Sequence, residues 1–192
     1  VYVHEDVVDE LVAQLVPRIE KLKVGDPLDD STDVSALISV SERDRVMEWI
    51  EEAQQGGATV LCGGEVVDGV LSPTLLIDVT PEMKVCSHEV FGPVVSIQRY
   101  KLTDEALRLA NDTRYGLQAA IFTNDFSIAM KAITTLDFGG VLVNEVPTFR
   151  SDQMPYGGLR DSGNTREGPR YAVMEMTETR LVILHLPTTS EK

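Results

Sequence analysis

Short apolar segments that alternate with amphipathic ones are the feature that most restricts the fold of this chain. The apolar segments are TVLCG, PTLLIDVT, PVVSIQRY, LQAAIFT and GGVLVNE, and helical patterns such as TDEALRLAND separate the later ones. Strands that are apolar on both faces and joined by helices of about ten residues are typical of a largely parallel sheet covered on both sides. The pattern therefore predicts an α/β fold, with a largely parallel sheet flanked by helices.

Two further amphipathic helices are predicted ahead of this alternation. Apolar residues recur every three or four positions from Val7 to Leu22, and Pro17 is expected to kink or end that helix. A loop rich in turn-forming residues leads to a second helix, which Ser39 or Ser41 is expected to cap and Gly56 to end. The side chains expected to face the core from this helix are Val46, Trp49, Ile50 and Ala53.

Length and charge exclude several classes of partner. The 192 residues are 43% hydrophobic and show no clear linker, which predicts a single globular domain. A formal net charge of -14 repels nucleic-acid phosphates and anionic membrane surfaces. No apolar run approaches the roughly 20 residues that span a bilayer, and the first residues lack the order of a signal peptide. We therefore expect a cytoplasmic protein with no nucleic-acid and no membrane partner.

The cysteines and histidines do not suggest a disulfide framework or a metal site. Cys62 and Cys86 are expected to be reduced thiols, since two cysteines do not make a framework in a cytoplasmic protein. His4, His88 and His185 are isolated and lack the spacing of metal ligands. We expect no bound metal.

A long irregular segment from Glu145 to about Pro169 follows the GGVLVN strand. It collects aromatic, basic and glycine residues, and open α/β sheets bind ligands outside the carboxyl ends of their strands. The segment as a whole is therefore a candidate ligand site, although each glycine taken singly is more simply a turn residue. Its notable members are Phe149, Arg150, Tyr156, Arg160, Arg166 and the glycines at 157, 158, 163 and 168.

A second candidate lies at HEVFGPVVSIQ, where Glu89, Phe91, Gly92 and Pro93 precede a predicted strand. One interpretation is a turn, because glycine and proline interrupt regular backbone there. The other is a ligand site, in which a rigid corner presents a hydrogen-bond acceptor and a flat apolar ring. The residues of this stretch by themselves leave both interpretations open.

Longer motifs around these residues resemble those of a known family. EVFGPV at 89–94, YGLQAAIFT at 115–123, GGVLVN at 139–144 and PYGGLRDSGNTREG at 155–168 resemble, in order and separation, the signatures of the NAD(P)-dependent aldehyde dehydrogenase superfamily. The resemblance covers essentially the whole chain. TFR at 148–150 and MPYGG at 154–158 are most similar to the branch that oxidises lactaldehyde and other small oxygenated or anionic aldehydes.

The resemblance implies roles for five residues. Glu89 would accept hydrogen bonds from the nicotinamide ribose hydroxyls of NAD or NADP, and Phe91 would pack near the nicotinamide end. Phe149 and Tyr156 would line the tunnel for a small aldehyde substrate. Arg150 is our additional suggestion, as a partner for a substrate hydroxyl, carboxylate or phosphate. An ordinary surface arginine is the alternative for that position.

The resemblance also implies which catalytic parts to expect elsewhere. The family oxidises an aldehyde to a carboxylic acid through a cysteine thiohemiacetal, with a glutamate as general base. In the family both residues precede the segment that matches VYVHEDVVDEL, so we expect them upstream of Val1 and no catalytic residue in this chain. Cys62 and Cys86 match no family role. The isolated chain is therefore expected to be inactive.

By the same resemblance, residues 1–176 form a fragment of the catalytic domain, 177–187 a C-terminal oligomerisation strand and 188–192 a tail. The parent enzyme is expected to be a homo-oligomer, either a dimer or a tetramer. One alternative is a non-catalytic module that keeps the fold and acts in assembly or binding. Another is a cysteine-dependent reductase of acyl phosphates or acyl thioesters with the same fold.

Overall fold

Three of the five predicted apolar runs form strands of a mixed sheet in the first of two structural units, and the other two pair with each other in the second unit. The computed structural model describes residues 1–185, which divide into one unit at Val1–Asp112 and a second from Thr113 onward. The strands within that range are β1 (Tyr2–His4), β2 (Thr59–Cys62), β3 (Val66–Val67), β4 (Val70–Leu71), β5 (Thr74–Ile77), β6 (Val94–Tyr100), β7 (Gln118–Ile121) and β8 (Gly140–Val143). The helices are α1 (Val8–Ile19), α2 (Val40–Gln55), α3 (Lys84–Ser87), α4 (Thr103–Asn111), α5 (Phe126–Thr135) and α6 (Pro169–Met176), with a 3-10 turn at Arg160–Ser162.

The sheet of the first unit has the order β1-β6-β5-β2. Strands β1 and β5 both pair with β6 in parallel, and β2 adds to β5 in the antiparallel sense. Two of the three pairings are thus parallel, which confirms the predicted α/β class with a largely parallel sheet. The sequence predicted a single domain, whereas the structure divides the chain into two compact units. The boundary after Asp112 follows α4, and no change of composition marks it in the sequence.

Strand β5 shows why this sheet needs helices on both faces. All four of its residues are buried, and successive side chains of a strand point to opposite faces. Leu75 and Ile77 join a cluster to which α1 contributes Val8, whereas Leu76 joins a cluster to which α2 contributes Ile50. Both faces of β5 are therefore covered by a helix and its apolar stripe.

Helix α2 has the predicted boundaries and the predicted inner face. The Ser39 hydroxyl accepts a hydrogen bond from the Glu42 N–H at 3.2 Å, and Gly56 occupies the C-terminal cap. This cap is one of the two that the sequence allowed, because Ser41 lies inside the helix. Three predicted core residues are buried and Trp49 is half-buried against the same cluster; the three are Val46, Ile50 and Ala53.

Helix α1 does not end at Pro17, although an end at that proline was one of the two outcomes expected from the sequence. The helix continues to Ile19, so Pro17 lies in its last turn. A proline there removes a single backbone hydrogen bond near the helix end. The apolar residues on either side of it, Val16 and Ile19, pack against the core of the first unit and favour continuation of the helix.

The second unit is built on a parallel pair of strands joined by a helix. Strands β7 and β8 are paired in parallel, and α5 connects them, as predicted. Asp125 caps α5 by accepting hydrogen bonds from the N–H groups of Ser127 at 2.7 Å and Ile128 at 3.2 Å. The long segment that the sequence marked as a candidate site begins directly after β8.

The C-terminal predictions remain predictions. Residues 177–185 have no regular secondary structure, and residues 186–192 lie outside the described part of the chain. The predicted oligomerisation strand at 177–187 would pair with another subunit, and the predicted tail at 188–192 is not described. In the described part of the chain, no helix is both long and apolar enough to cross a membrane.

Candidate functional site

The candidate segment from His88 to Pro93 links α3 to β6 and is fixed at both ends. The N–H of His88 donates to the carbonyl of Lys84 at 3.1 Å, which closes α3. At the other end the Pro93 carbonyl accepts a hydrogen bond from the N–H of Thr74 at 2.8 Å, where β5 begins to pair with β6. We call residues 88–93 the corner segment. The sheet and α3 thus hold it at defined points.

The two predicted ligand-binding residues of the corner segment are both exposed. Phe91 has 71% of its surface accessible and a φ of 49°, a left-handed conformation that is unfavourable for a bulky residue. Glu89 is exposed, and its carboxylate has no hydrogen bond or ion pair with any residue from 1 to 185. An unpaired carboxylate beside an exposed ring can accept hydrogen bonds from a ligand without first losing a protein partner.

The other candidate segment, from Glu145 to about Pro169, starts where the carboxyl ends of β7 and β8 meet. The Asn144 side chain accepts a hydrogen bond from the Thr123 N–H at 2.8 Å and donates to the Thr123 carbonyl at 3.0 Å. Asn144 itself has a positive φ of 56°, which asparagine tolerates better than most residues. The chain therefore turns away from the sheet at this point, in the position that the sequence predicted for a ligand-binding loop.

Two of the three residues predicted to bind substrate are in contact. The Cζ atom of Arg150 lies 4.4 Å from the centroid of the Tyr156 ring. The guanidinium group also donates to the carboxylate of Glu167, whose N–H donates to the Tyr156 carbonyl at 2.6 Å. Phe149 is 48% exposed, and no contact of its ring with this group is observed in the described chain. Glu167 is a member of the cluster that sequence reasoning missed, because no local pattern pairs it with Arg150.

The glycines of the loop allow close backbone packing. A Cβ atom built on Gly139, before β8, would lie 1.7 Å from the carbonyl oxygen of Gly157, and one built on Gly157 would lie 2.1 Å from that of Thr165. Gly157 does not have a positive φ, so close approach of the backbone is the reason for a glycine at this position. The loop therefore packs against the turn before β8 at van der Waals distance.

The other two arginines of the loop hold backbone carbonyls. Arg166 donates to the carbonyls of Gly158 at 2.8 Å and Thr165 at 2.9 Å. Arg160 donates to the carbonyls of Thr113 and Asp137. These contacts stabilise the loop and leave Arg150 as the arginine next to an aromatic side chain of the predicted substrate set.

Neither thiol has the properties of an activated nucleophile. Burial raises the pKa of the Cys62 thiol above its usual value. The Cys86 residue is largely exposed, yet desolvation of its sulfur raises the pKa of that thiol too, and the hydrogen bond with Ser96 offsets this only in part. A raised pKa keeps a thiol protonated at neutral pH, whereas catalysis requires the thiolate.

The sequence matches the model of the family described as the aldehyde dehydrogenase family over residues 1–182. A 3-sulfolactaldehyde dehydrogenase from Priestia aryabhattai is 46% identical over 97% of this chain. A lactaldehyde dehydrogenase from Methanococcus aeolicus is 39% identical over 96% of it. The chain spans 39% and 40% of the lengths of these two relatives.

Solved structures give the same match. The structure of aldehyde dehydrogenase 21 from Physcomitrella patens, in complex with its reaction product succinate, aligns with a TM-score of 0.92 and 39% identity. That alignment covers 98% of this chain and 39% of the other. A glyceraldehyde-3-phosphate dehydrogenase from Methanocaldococcus jannaschii in complex with NADP aligns with a TM-score of 0.87 and 40% identity, covering 91% of this chain and 38% of the other.

Proposed function

The chain belongs to the aldehyde dehydrogenase family, and from this membership we propose that it is part of an oxidoreductase that oxidises a small aldehyde to a carboxylic acid with NAD or NADP. The observation that carries the proposal is the corner segment. There the family motif EVFGPV presents an exposed Phe91 ring and a Glu89 carboxylate that has no partner within residues 1–185. A turn that only connects two elements requires neither this carboxylate nor this exposed ring.

The corner segment suits the nicotinamide end of a dinucleotide. The two carboxylate oxygens of Glu89 can accept hydrogen bonds from both hydroxyls of a ribose, a charge-assisted contact. Phe91 offers an apolar face beside them. When bound, the nicotinamide ring supplies the acceptor for the hydride that leaves the substrate. Solved relatives contain NADP or NAD+, which supports a nicotinamide cofactor without choosing between the two.

We place the nucleophilic cysteine and the general-base glutamate in a part of the parent protein outside these 192 residues. The chain spans about two fifths of its relatives, which leaves room for both residues. The raised pKa values of Cys62 and Cys86 support the same view, because both thiols are poorly ionised at neutral pH. The isolated chain is accordingly proposed to be inactive.

The substrate is proposed to be a small aldehyde with a hydroxyl or anionic group. Arg150 lies on the Tyr156 ring and already holds one anion, the Glu167 carboxylate. A substrate carboxylate, sulfonate or phosphate could replace that carboxylate, because guanidinium groups bind these oxyanions in similar ways. The relatives named for 3-sulfolactaldehyde and lactaldehyde, and the succinate complex, support this class.

Activity of the complete parent protein tests the proposal. Purified protein is mixed with 3-sulfolactaldehyde, lactaldehyde or succinic semialdehyde and with NAD+ or NADP+, and reduced nicotinamide is followed by absorbance. We expect reduction with at least one pair and formation of the matching acid. The Cys86→Ser variant is expected to retain full activity and the freshly reduced 192-residue chain to have none. Absence of reduction with every pair, in protein shown to be folded, would overturn the proposal.

Replacing Arg150 with Met is expected to raise KM for an anionic aldehyde by about 10-fold or more, because hydrogen bonds to charged groups contribute about 1.5–3 kcal/mol. KM for lactaldehyde is expected to change less than about 3-fold. Steady-state kinetics with both substrates measures the difference. Arg170→Met is a matched control, since Arg170 is exposed and makes no ion pair within residues 1–185. Equal effects on both substrates would contradict a role in anion binding.

We further propose that the parent enzyme is a homo-oligomer, a dimer or a tetramer. The supporting observation is an apolar run near the C-terminus in which all four residues are more than 60% exposed, namely Leu181, Val182, Ile183 and Leu184. Contiguous apolar surface of this kind is typical of an interface. The cytoplasmic location expected from the sequence remains a prediction.

A further inference from the structure

The side chain of Arg45, on α2, is held at three points. Its Nε and Nη2 atoms donate to one oxygen of Glu42 at 2.9 and 2.8 Å, and its Cζ lies 4.3 Å from the centroid of the Trp49 ring. Nη2 also donates to the carbonyl of Val90 at 2.9 Å, across 45 positions of sequence. Only 27% of its side chain is exposed, so most of Arg45 is covered by neighbouring residues.

The Val90 carbonyl occupies the centre of the corner segment. Among the residues that the structure describes, its bond with Arg45 is the only hydrogen bond that joins residues 89–91 to another element, since the Gly92 carbonyl accepts from the N–H of Val94 at 2.8 Å. The carbonyl belongs to the peptide plane between Val90 and Phe91. Rotation of that plane about the N–Cα bond of Phe91 defines the φ angle of Phe91. Arg45 therefore restrains the backbone angle that has the unfavourable value of 49°.

Apolar packing strengthens the restraint. Val90 and Trp49 both pack against the cluster that contains Val46 and Ile50. The His88 ring lies 5.5 Å from the Trp49 ring, centroid to centroid, so Trp49 has contacts with the corner segment as well as with Arg45. The guanidinium group is thus held in place by Glu42 and Trp49 while it holds the Val90 carbonyl.

We propose that Arg45 is a positioning residue for the cofactor: it fixes the Val90–Phe91 peptide plane and thereby orients the Glu89 carboxylate and the Phe91 ring toward the dinucleotide. This role rests on the proposed function of the corner segment. It assigns to α2 a contribution to cofactor affinity that acts through the backbone of the segment.

Cofactor titration of the complete protein tests the role. Arg45→Met keeps much of the apolar length of the side chain but loses every N–H donor. We expect the Kd of NAD+, and of NADP+ if it binds, to rise about 10-fold, with KM for the aldehyde within about 2-fold of the parent value. Arg45→Lys keeps a charged donor and is expected to show a smaller rise. Unchanged Kd values for both variants would overturn the proposal.

Arg43 provides a matched control on the same helix. It is similarly covered, with 21% of its side chain exposed, and it too donates to a loop carbonyl, that of Gly69 at 3.2 Å. Gly69 lies outside the corner segment. Arg43→Met is therefore expected to leave the Kd of NAD+ within about 2-fold of the parent value. An equal rise in both variants would show a general effect of α2 and contradict a specific role for Arg45.

A double-mutant cycle separates this proposal from the function on which it rests. If Arg45 acts through Glu89 and Phe91, the Arg45→Met and Glu89→Ala changes will not fully add, and the double variant will bind NAD+ more tightly than the sum of the two single losses predicts. Full additivity would overturn the positioning role while leaving the cofactor site intact. A Glu89→Ala variant that binds NAD+ normally would instead refute the cofactor site itself.

Discussion

Glu89→Ala in the complete protein is expected to raise the Kd of NAD+ or NADP+ by about 10- to 100-fold with little change in stability. The carboxylate makes no hydrogen bond or ion pair within the described residues, so its loss removes no polar interaction among them. Hydrogen bonds to a charged acceptor contribute about 1.5–3 kcal/mol, which corresponds to this range of affinity. Fluorescence titration of the cofactor and a thermal unfolding curve measure the two quantities.

Glu48→Ala controls for the loss of one negative charge. Glu48 is exposed on α2 and its side chain has no ion pair or hydrogen bond in the structure of residues 1–185, so its replacement is expected to leave the Kd unchanged. Should Glu89→Ala bind both dinucleotides as well as the parent protein does, the assignment of the corner segment to the cofactor is wrong.

Gly139→Ala is expected to lower the free energy of unfolding by about 3 kcal/mol, at the upper end of the usual cost of overpacking. The added Cβ would lie 1.7 Å from the Gly157 carbonyl oxygen and 2.8 Å from its carbon, so backbone must move. Gly157 follows Tyr156, and displacement of the loop is therefore also expected to raise KM for the aldehyde. Urea unfolding of the complete protein and steady-state kinetics measure these effects.

The neighbouring glycine gives the control for this substitution. A Cβ on Gly140 would meet atoms of the flexible Gln118 side chain, at 3.3 Å for the nearest. That side chain can move, so Gly140→Ala is expected to cost less than about 1 kcal/mol. Equal destabilisation by the two variants would show that the close approach of Gly139 to Gly157 does not limit stability.

Local sequence patterns predicted much of this fold because they act over a few residues. The cap at Ser39 and the buried face of α2 follow from hydrogen bonding and periodicity within single turns. The largely apolar run of β5 predicted a strand covered on both faces, which the structure confirms. The continuation of α1 past Pro17 could not be predicted in this way, since packing of Val16 and Ile19 against the core favours it.

The partners of the arginines are the part of the candidate site that sequence could not supply. Arg45 bonds to a carbonyl 45 positions away, and Arg150 to a carboxylate 17 positions away. No spacing rule links such pairs, because a long side chain selects its partner by proximity in space. Arg45 on α2 and the three arginines of the loop therefore differ in their partners in ways that their sequence positions do not show.

By itself the sequence predicted the order of the longer strands and helices, the motifs that resemble the family and the candidacy of Glu89, Phe91, Phe149, Arg150 and Tyr156. The elements follow from residue type and short-range periodicity, whereas the roles expected of those five residues follow from the resemblance of their motifs to the family. Only the tertiary structure decided that Glu89 has no partner within residues 1–185. It also decided that the Glu167 carboxylate pairs with the Arg150 guanidinium and that Arg45 donates a hydrogen bond to the Val90 carbonyl. The physical reason is that hydrogen bonds and ion pairs form between groups that folding brings within about 3 Å, whatever their separation along the chain.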